Sequence, residues 1–397
     1  MKMAFSLALI LVLAFLINEI FIKIKLPGLL GMILLGILIG PYGFNKIDSN
    51  LLAISGDLRL IALIVILLRA GLGIKKNELN AVKKEVLKIS CIPGLFEGFT
   101  IALCSMYFLN FSFIEGGILG FIIAAVSPAV IVPKMLEFQE RKIGTDKKIP
   151  TIILAGASVD DVFAITIFSS FLGLYGGKSV NLIANILNIP ISIVLGIGIG
   201  AVIGFILIKF FKNYSIRDTK KAILILSIAI LFNSLEKYIS GEFHIEIASL
   251  LGIMTIGFFI LELLPSVGAR LSAKFNKIWV FAEIILFVLV GAQVNIGVAI
   301  KSGGIGFLIL LIGLIARGVG VYISLLGTNF SIKEKLFTIV AYMPKATVQA
   351  AIGAIPLMSG VASGEVILAI AVMSILLTAP AGAIFIDILG KKFLNKE

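Results

Sequence analysis

The chain consists of long apolar stretches separated by short polar connections. Breaks at charged residues, glycine and proline divide it into about thirteen stretches, most of them long enough to cross a bilayer as helices. This pattern predicts an all-α polytopic membrane protein with about thirteen transmembrane helices. We number these spans in chain order as about 3–22, 27–41, 58–74, 86–109, 116–137, 150–174, 181–210, 220–239, 246–264, 277–294, 303–326, 334–358 and 364–389.

Composition and charge agree with this prediction. Hydrophobic residues make up 59% of the chain, charged residues only 14%, and the mean hydropathy is +1.14, whereas a soluble domain has about a quarter charged residues. The net charge of +12 comes from basic clusters in alternate connections, such as 141–148 and 209–221, and not from a surface for nucleic acid. The positive-inside rule then puts the N-terminus outside and the C-terminus in the cytoplasm of a cell (inner) membrane. No small-residue cleavage site follows the first stretch, so we expect a span there and not a cleaved signal.

A short motif indicates that the chain contains two related halves. Two leucines and a glycine, with another glycine five residues later, occur at 29–36 and again about 220 residues later at 250–257. Pro128 interrupts the fifth span and Pro344 the twelfth, at a similar offset. A shift of seven spans is odd and inverts the second copy, so proline-broken crossing helices at corresponding positions predict a transporter's binding site. The inverted repeats are predicted as spans 1–6 and 8–13, at about 1–175 and 218–390.

Five ionisable residues fall near the middle of predicted spans: Glu97, Asp160, Asp161, Arg317 and Lys345. Each costs at least a few kcal/mol there, so each is a functional hypothesis. Adjacent carboxylates in a low dielectric do not both ionise cheaply, so Asp160 and Asp161 are expected to hold a proton or a hard cation between them. The pair therefore predicts a proton-coupled cation site. The alternative is a structural pair that caps a neighbouring helix end.

The proline breaks are expected to supply the rest of this site. Unwound backbone exposes carbonyl groups, and Ser127 and Thr347 offer hydroxyl ligands beside the two aspartates. Lys345 is predicted to compensate the dipoles of two opposed helix C-termini, a structural role at least as well supported as a transport role.

Glu97 and Arg317 lie in the fourth and eleventh spans, which the seven-span shift makes equivalent. Opposite charges at mid-depth of equivalent helices predict an ion pair, because a lone arginine there would be far costlier. The pair either locks the helices together or takes part in the transport cycle.

Other function classes have little support. Cys91 and Cys104 lie about 20 Å apart along one predicted helix and cannot pair. The single His244 belongs to a loop, and no nucleotide, haem or metal motif is present. We therefore expect no cofactor and no enzyme activity. A cation channel would need a repeated filter, which the sequence lacks.

Four strings, at 66–72, 127–133, 157–161 and 342–353, resemble the Na⁺/H⁺ exchanger family of the cation/proton antiporter superfamily (monovalent cation:proton antiporter 2-like). The similarity is closest to bacterial relatives of the mammalian sodium/hydrogen exchanger-like branch. It implies a secondary antiporter and homodimer, with Asp161 as the principal ion carboxylate, Asp160 as its neighbour and a Glu97–Arg317 pair. It also implies a mobile core subdomain at about 58–175 and 277–390, and a dimerisation subdomain at about 1–57 and 180–264.

The sequence thus predicts exchange of Na⁺ or Li⁺ for H⁺ by alternating access, with the cation and the proton competing for Asp161. K⁺/H⁺ exchange is the near alternative, because a few oxygen ligands do not identify the cation. The stoichiometry also stays open at this point.

Overall fold

The computed structural model describes residues 3–24, 26, 28–73, 76, 83–176, 182–243 and 247–395. In these ranges the chain is helical without a β-strand, as predicted. His244 lies outside the described residues. The helices are α1 (Met3–Lys23), α2 (Gly28–Ile39), α3 (Ser49–Ala53), α4 (Ser55–Gly71), α5 (Lys83–Leu109), α6 (Phe113–Ile123), α7 (Pro128–Glu140), α8 (Ile149–Tyr175), α9 (Leu182–Asn213), α10 (Asp218–Phe243), α11 (Ser249–Leu263), α12 (Pro265–Ala292), α13 (Ile296–Ser324), α14 (Ile332–Ala341), α15 (Thr347–Ile352), α16 (Ile355–Met358) and α17 (Gly364–Phe393).

Helix length separates two groups of apolar helices. Within the described ranges, 7 helices contain segments long and apolar enough to cross a membrane, and these belong to α1, α5, α8, α9, α12, α13 and α17. Shorter apolar helices include α2, α6 and α11. A helix shorter than about twenty residues does not cross the hydrocarbon core alone, so the count of about thirteen spans stays a prediction.

The two proline breaks occur where the sequence places them. The fifth predicted span consists of α6 and α7, with Pro128 at the first position of α7, where its missing N–H leaves no helical bond unmade. The twelfth consists of α14, α15 and the short α16, with residues 343–346 between α14 and α15 in non-helical backbone. Pro344 lies in this linker because its ring cannot continue a helix.

Each first half of a broken helix begins with the same capping box. Ser112 and Glu115 exchange side-chain and backbone hydrogen bonds at the start of α6, and Ser331 and Glu334 do the same at the start of α14. The reciprocal bonds satisfy two otherwise unpaired N–H groups at each helix start. The boxes lie about 220 residues apart, in the same register as the repeated glycines.

Packing divides the chain into two units. The larger contains Met1–Gly56, Val82–Lys178 and Ile284–Glu397, and the smaller contains Asp57–Ala81 and Ser179–Glu283. This division groups 1–56 and 57–81 differently from the predicted core and dimerisation subdomains, which stay predictions. In the larger unit α5 packs along α13, α6 and α8 pack against α5, and α17 packs against α13 and α14. In the smaller unit α11 packs against α9 and α10.

The repeated glycines make equivalent close contacts, one in each unit. In the larger unit, a Cβ on Gly36 of α2 would lie 2.1 Å from the carbonyl oxygen of Val288 in α12. In the smaller unit, a Cβ on Gly257 of α11 would lie 2.8 Å from the carbonyl oxygen of Leu68 in α4. Gly257 follows Gly36, and Val288 follows Leu68, by about 220 residues, so the two contacts support the register of the repeat. The inverted orientation of the two halves stays a prediction.

We expect Gly36→Ala to lower the melting temperature of the detergent-solubilised protein, because the new Cβ meets backbone that cannot move aside like a side chain. Overpacking of this kind costs about 1–3 kcal/mol. Gly257→Ala should destabilise less, since its contact is longer. Gly198→Ala in α9 is the control, because its Cβ would meet nothing within 4 Å. A Gly36→Ala protein as stable as this control would contradict the close approach.

Candidate ion-binding site

The two helix breaks meet inside the larger unit. The backbone N–H of Ser127, directly before α7, donates to the carbonyl oxygen of Pro344 at 2.8 Å. The contact places the start of α7 beside the linker between α14 and α15. Both breaks therefore contribute to one buried site.

Arg317 of α13 connects most of the groups around these breaks. Its Nη1 donates to Glu97 Oε2 at 2.7 Å, and its Nη2 donates to Asp160 Oδ2 at 2.9 Å. Nε donates to the carbonyl oxygen of Tyr342, directly after α14, and Nη1 also donates to that of Ala124, directly after α6. Arg317 is fully buried, so these four acceptors replace its hydration.

Lys345 joins the same network from the linker before α15. Its Nζ donates to Glu97 Oε2 at 2.6 Å, and both side chains are fully buried. Glu97 thus contacts two cations, one of which is Arg317, and the role of this pair stays a prediction. The carbonyls at the ends of α6 and α14 are contacted by Arg317, so a dipole-compensating role for Lys345 stays a prediction.

The two aspartates of α8 have different surroundings. Asp160 Oδ2 accepts from Arg317 and from the backbone N–H of Val126 at 2.8 Å. Asp161 makes no ion pair with a described residue, and its Oδ1 is buried without a hydrogen-bond partner among the residues that the structure describes. Asp160, Arg317 and Lys345 all lie close enough to act on Asp161 electrostatically. Of the three buried carboxylates, Asp161 is therefore the one without an ion pair among the described residues, and its role as an ion ligand stays a prediction.

The two predicted hydroxyl ligands are also buried and unpartnered. Ser127 is the N-cap of α7 but makes no capping bond with its side chain, although a serine there usually accepts from the next turn. Among the described residues, neither Ser127 Oγ nor the Thr347 Oγ1 at the start of α15 has a hydrogen-bond partner. A buried hydroxyl without a partner is costly, so both positions are suited to a ligand. Their roles stay predictions.

Two further buried residues of the site have no role in the sequence interpretation. The Gln349 Nε2 of α15 lies within hydrogen-bond distance of three carbonyl oxygens at the end of α6. The Tyr342 ring lies beside the Arg317 guanidinium, 5.6 Å from its centroid. Both occur in the string 342–353. A glutamine inside an apolar run indicates a hydrogen bond to a neighbouring helix, and this is the signal that could have identified Gln349.

Comparison with known proteins identifies the family. A family model described as "Sodium/hydrogen exchanger, transmembrane" matches residues 8–392. Sodium/hydrogen exchanger 9B2 from Homo sapiens is 34% identical over 394 residues, which cover 94% of this chain and 70% of that protein. Sodium/hydrogen exchanger 9B1 from Homo sapiens is 34% identical over 392 residues, which cover 94% of this chain and 73% of that protein.

This chain belongs to the sodium/hydrogen exchanger family. The solved sodium proton antiporter MjNhaP1 from Methanocaldococcus jannaschii has the same fold, with a TM-score of 0.87, 22% identity and coverage of 99% of both chains. The chain is thus a multi-pass membrane protein of an antiporter family and not an enzyme. The resemblance found in the sequence, including its exchanger-like branch, is confirmed.

In this exchanger-family protein, we expect Glu97→Ala and Arg317→Ala each to lower thermal stability or exchange. Each substitution breaks a buried ion pair, which costs about 3–5 kcal/mol, although Arg317 keeps its pair with Asp160 and Glu97 keeps its pair with Lys345. The double variant should lose less than the sum of the two, because it removes both charges. Melting temperatures and exchange rates of the three variants measure this coupling.

Lys391→Ala is the control, since its pair with Asp387 is partly exposed and ion pairs in contact with solvent contribute little. Independent, additive losses from Glu97→Ala and Arg317→Ala would show that the two residues are not coupled.

Proposed function

We propose that this protein exchanges a monovalent cation, Na⁺ or Li⁺, for H⁺ by alternating access, and that both ions compete for Asp161. The observation that carries the proposal is the charge count of the buried site. Three carboxylates, on Glu97, Asp160 and Asp161, face two cations, on Arg317 and Lys345. The ion pairs of the two cations go to Glu97 and Asp160. One negative charge is left on Asp161.

An unpaired carboxylate in a buried site needs one positive charge. A proton neutralises it by forming the acid, and a sodium ion neutralises it by coordination. The two cannot occupy the same oxygen together, so binding of one ion displaces the other. Exclusive occupancy couples cation movement to proton movement when Asp161 faces each side of the membrane in turn.

The unpartnered oxygens support a cation at Asp161. Sodium is a hard cation that takes oxygen ligands, and we propose Ser127 Oγ, Thr347 Oγ1 and the free Oδ1 of Asp160 as partners to Asp161. All are buried, and none has a hydrogen-bond partner among the described side chains. The Glu97–Arg317 pair and Lys345 hold Asp160 and the helix breaks in place, and we assign them a coupling and structural role.

The larger assembly is also part of the proposal. We propose thirteen spans in two inverted repeats, and a core that carries the ion against a dimerisation subdomain of a homodimer. The basic clusters support a cytoplasmic C-terminus and an external N-terminus in a cell membrane.

Cation identity separates the near alternatives. In proteoliposomes with a recorded lumenal pH, external Na⁺ or Li⁺ should alkalinise the lumen, because a proton leaves for each cation that enters. Asp161→Asn should abolish the response, since an amide cannot exchange a proton, and Asp161→Glu should leave at most weak activity because its oxygen is displaced. Asp160→Asn should be milder or change cation preference.

Asp218→Asn is the matched control, because Asp218 belongs to the smaller unit and pairs there with Arg270. A response to K⁺ alone would favour K⁺/H⁺ exchange, and cation flux without proton movement would favour a channel. No cation-dependent pH change at any pH, or full activity in Asp161→Asn, would contradict the proposal.

Competition at Asp161 also predicts a pH dependence. The apparent KM for the cation should rise in proportion to proton concentration over a limited range, up to about tenfold for each unit of falling pH. Exchange should therefore fall at acid pH and recover when the cation concentration is raised. Initial rates over a matrix of pH and Na⁺ concentration measure this, and an acid-insensitive KM would show that the ions bind independently.

A further inference from the structure

Gln349 of one broken helix contacts the C-terminal end of α6, which belongs to the other broken helix. It lies in the first turn of α15 and is fully buried. Its Nε2 is 3.0 Å from the carbonyl oxygen of Ile122, 3.2 Å from that of Ile123 and 2.8 Å from that of Ala125. A helix end has carbonyl groups without helical partners, and here the two N–H groups of one side chain are shared among two carbonyls of the last turn of α6 and one in the break that follows.

The surroundings of the amide determine its orientation. Three acceptors around one atom require the NH₂ group there, because an amide oxygen would only repel them. The Oε1 atom then points elsewhere, and it is buried with no partner among the described residues. Gln349 therefore binds the negative end of α6 without adding a charge there, which a lysine or arginine at this position would do.

One peptide group connects Gln349 directly to the proposed ion site. The carbonyl oxygen of Ala125 accepts from Gln349, and the N–H of the same peptide, on Val126, donates to Asp160 Oδ2. This peptide group is thus hydrogen-bonded through both its carbonyl oxygen and its N–H. The next residue is Ser127, whose N–H is bound by Pro344 and whose hydroxyl is a proposed cation ligand.

We infer that Gln349 is a positioning residue that sets the discrimination between monovalent cations, by holding the break between α6 and α7 rigid. This inference rests on the proposed function, since it assumes that a cation binds at Asp161 and Ser127. Selectivity between hard cations depends on cavity size, ligand number and flexibility. A break held rigid by these hydrogen bonds fixes the distance between the ligand oxygens. Without them, the break can adapt to ions of different radius, and its freed carbonyl oxygens can also coordinate the ion.

The test compares kcat/KM for Li⁺, Na⁺ and K⁺ in proteoliposomes containing the full chain. Gln349→Met keeps the length of the side chain and removes its donors. We expect the ratio of kcat/KM between the best and the poorest cation to fall about tenfold, as loss of about one net hydrogen bond to the break between α6 and α7 would give. Gln349→Asn keeps the donors but is one methylene shorter, so it should reach fewer carbonyls and give an intermediate ratio.

Asn233→Leu is the matched control. Asn233 is a buried amide of the smaller unit that donates to Ser249 Oγ, and its oxygen also has no hydrogen-bond partner in the part of the chain that the structure describes. It should lose stability without any change in the cation ratio. A Gln349→Met protein with lower rates but the wild-type ratio would overturn the inference, because that result assigns the residue to folding alone.

Two outcomes keep this test separate from that of the exchange activity. If the wild type shows no cation-dependent exchange, the proposed function fails. If it exchanges normally and the ratio is the same in all variants, only the role of Gln349 fails. If Gln349→Met does not fold, Gln349→Asn takes its place. The rise in melting temperature of the purified protein with each cation then compares cation binding without turnover. The same relative rises in Gln349→Asn as in the wild type would overturn the inference.

Discussion

The buried guanidinium of Arg317 is the interaction on which the site depends. A charge at this depth is tolerated only when acceptors are already arranged around it, and these come from four separate parts of the larger unit. Glu97 belongs to α5, Asp160 to α8, and the two carbonyl oxygens to the ends of α6 and α14. Both helix breaks are therefore fixed relative to α13. Because Arg317 is charged at any physiological pH, it provides a permanent centre around which the other groups are arranged.

Two broken helices create an unusual demand for backbone partners inside the membrane. Each break frees carbonyl and N–H groups that water cannot reach, and each freed group is costly unless it is bound. At residues 124–127 these partners come from outside α6 and α7: Arg317, Gln349, Asp160 and the backbone of Pro344. The backbone needs of one broken helix are thus met by the other and by its neighbours. Among the described residues of the site, the groups left without a hydrogen-bond partner are side-chain oxygens, and the proposed cation site is built on these.

Much of this arrangement is readable in the sequence, and the unreadable part has a physical cause. Apolar runs, Pro128 and Pro344 predict the helices and their breaks, because these features act locally. The seven-span symmetry predicts the Glu97–Arg317 contact, because equivalent helices meet at equivalent depth. The ion pair of Lys345 with Glu97 is not predictable in this way, because the acceptor that a flexible lysine side chain reaches depends on tertiary packing. The bonds to the backbone of Ala124 and Ala125 were missed for another reason: carbonyl groups have no sequence signal, and Gln349 could be noticed only as an amide in an apolar run.

The imbalance of three buried carboxylates and two buried cations has a consequence for the energy source of exchange. If the four paired groups are ionised, the cluster carries one negative charge, and a single Na⁺ or a single proton brings it to zero. A cluster that crosses the membrane only in its loaded form then moves no net charge in either direction. The membrane potential, which is worth about 2.3 kcal/mol per elementary charge for each 100 mV, would do no work on such a carrier. The direction of exchange would follow the ratio of the two concentration gradients alone.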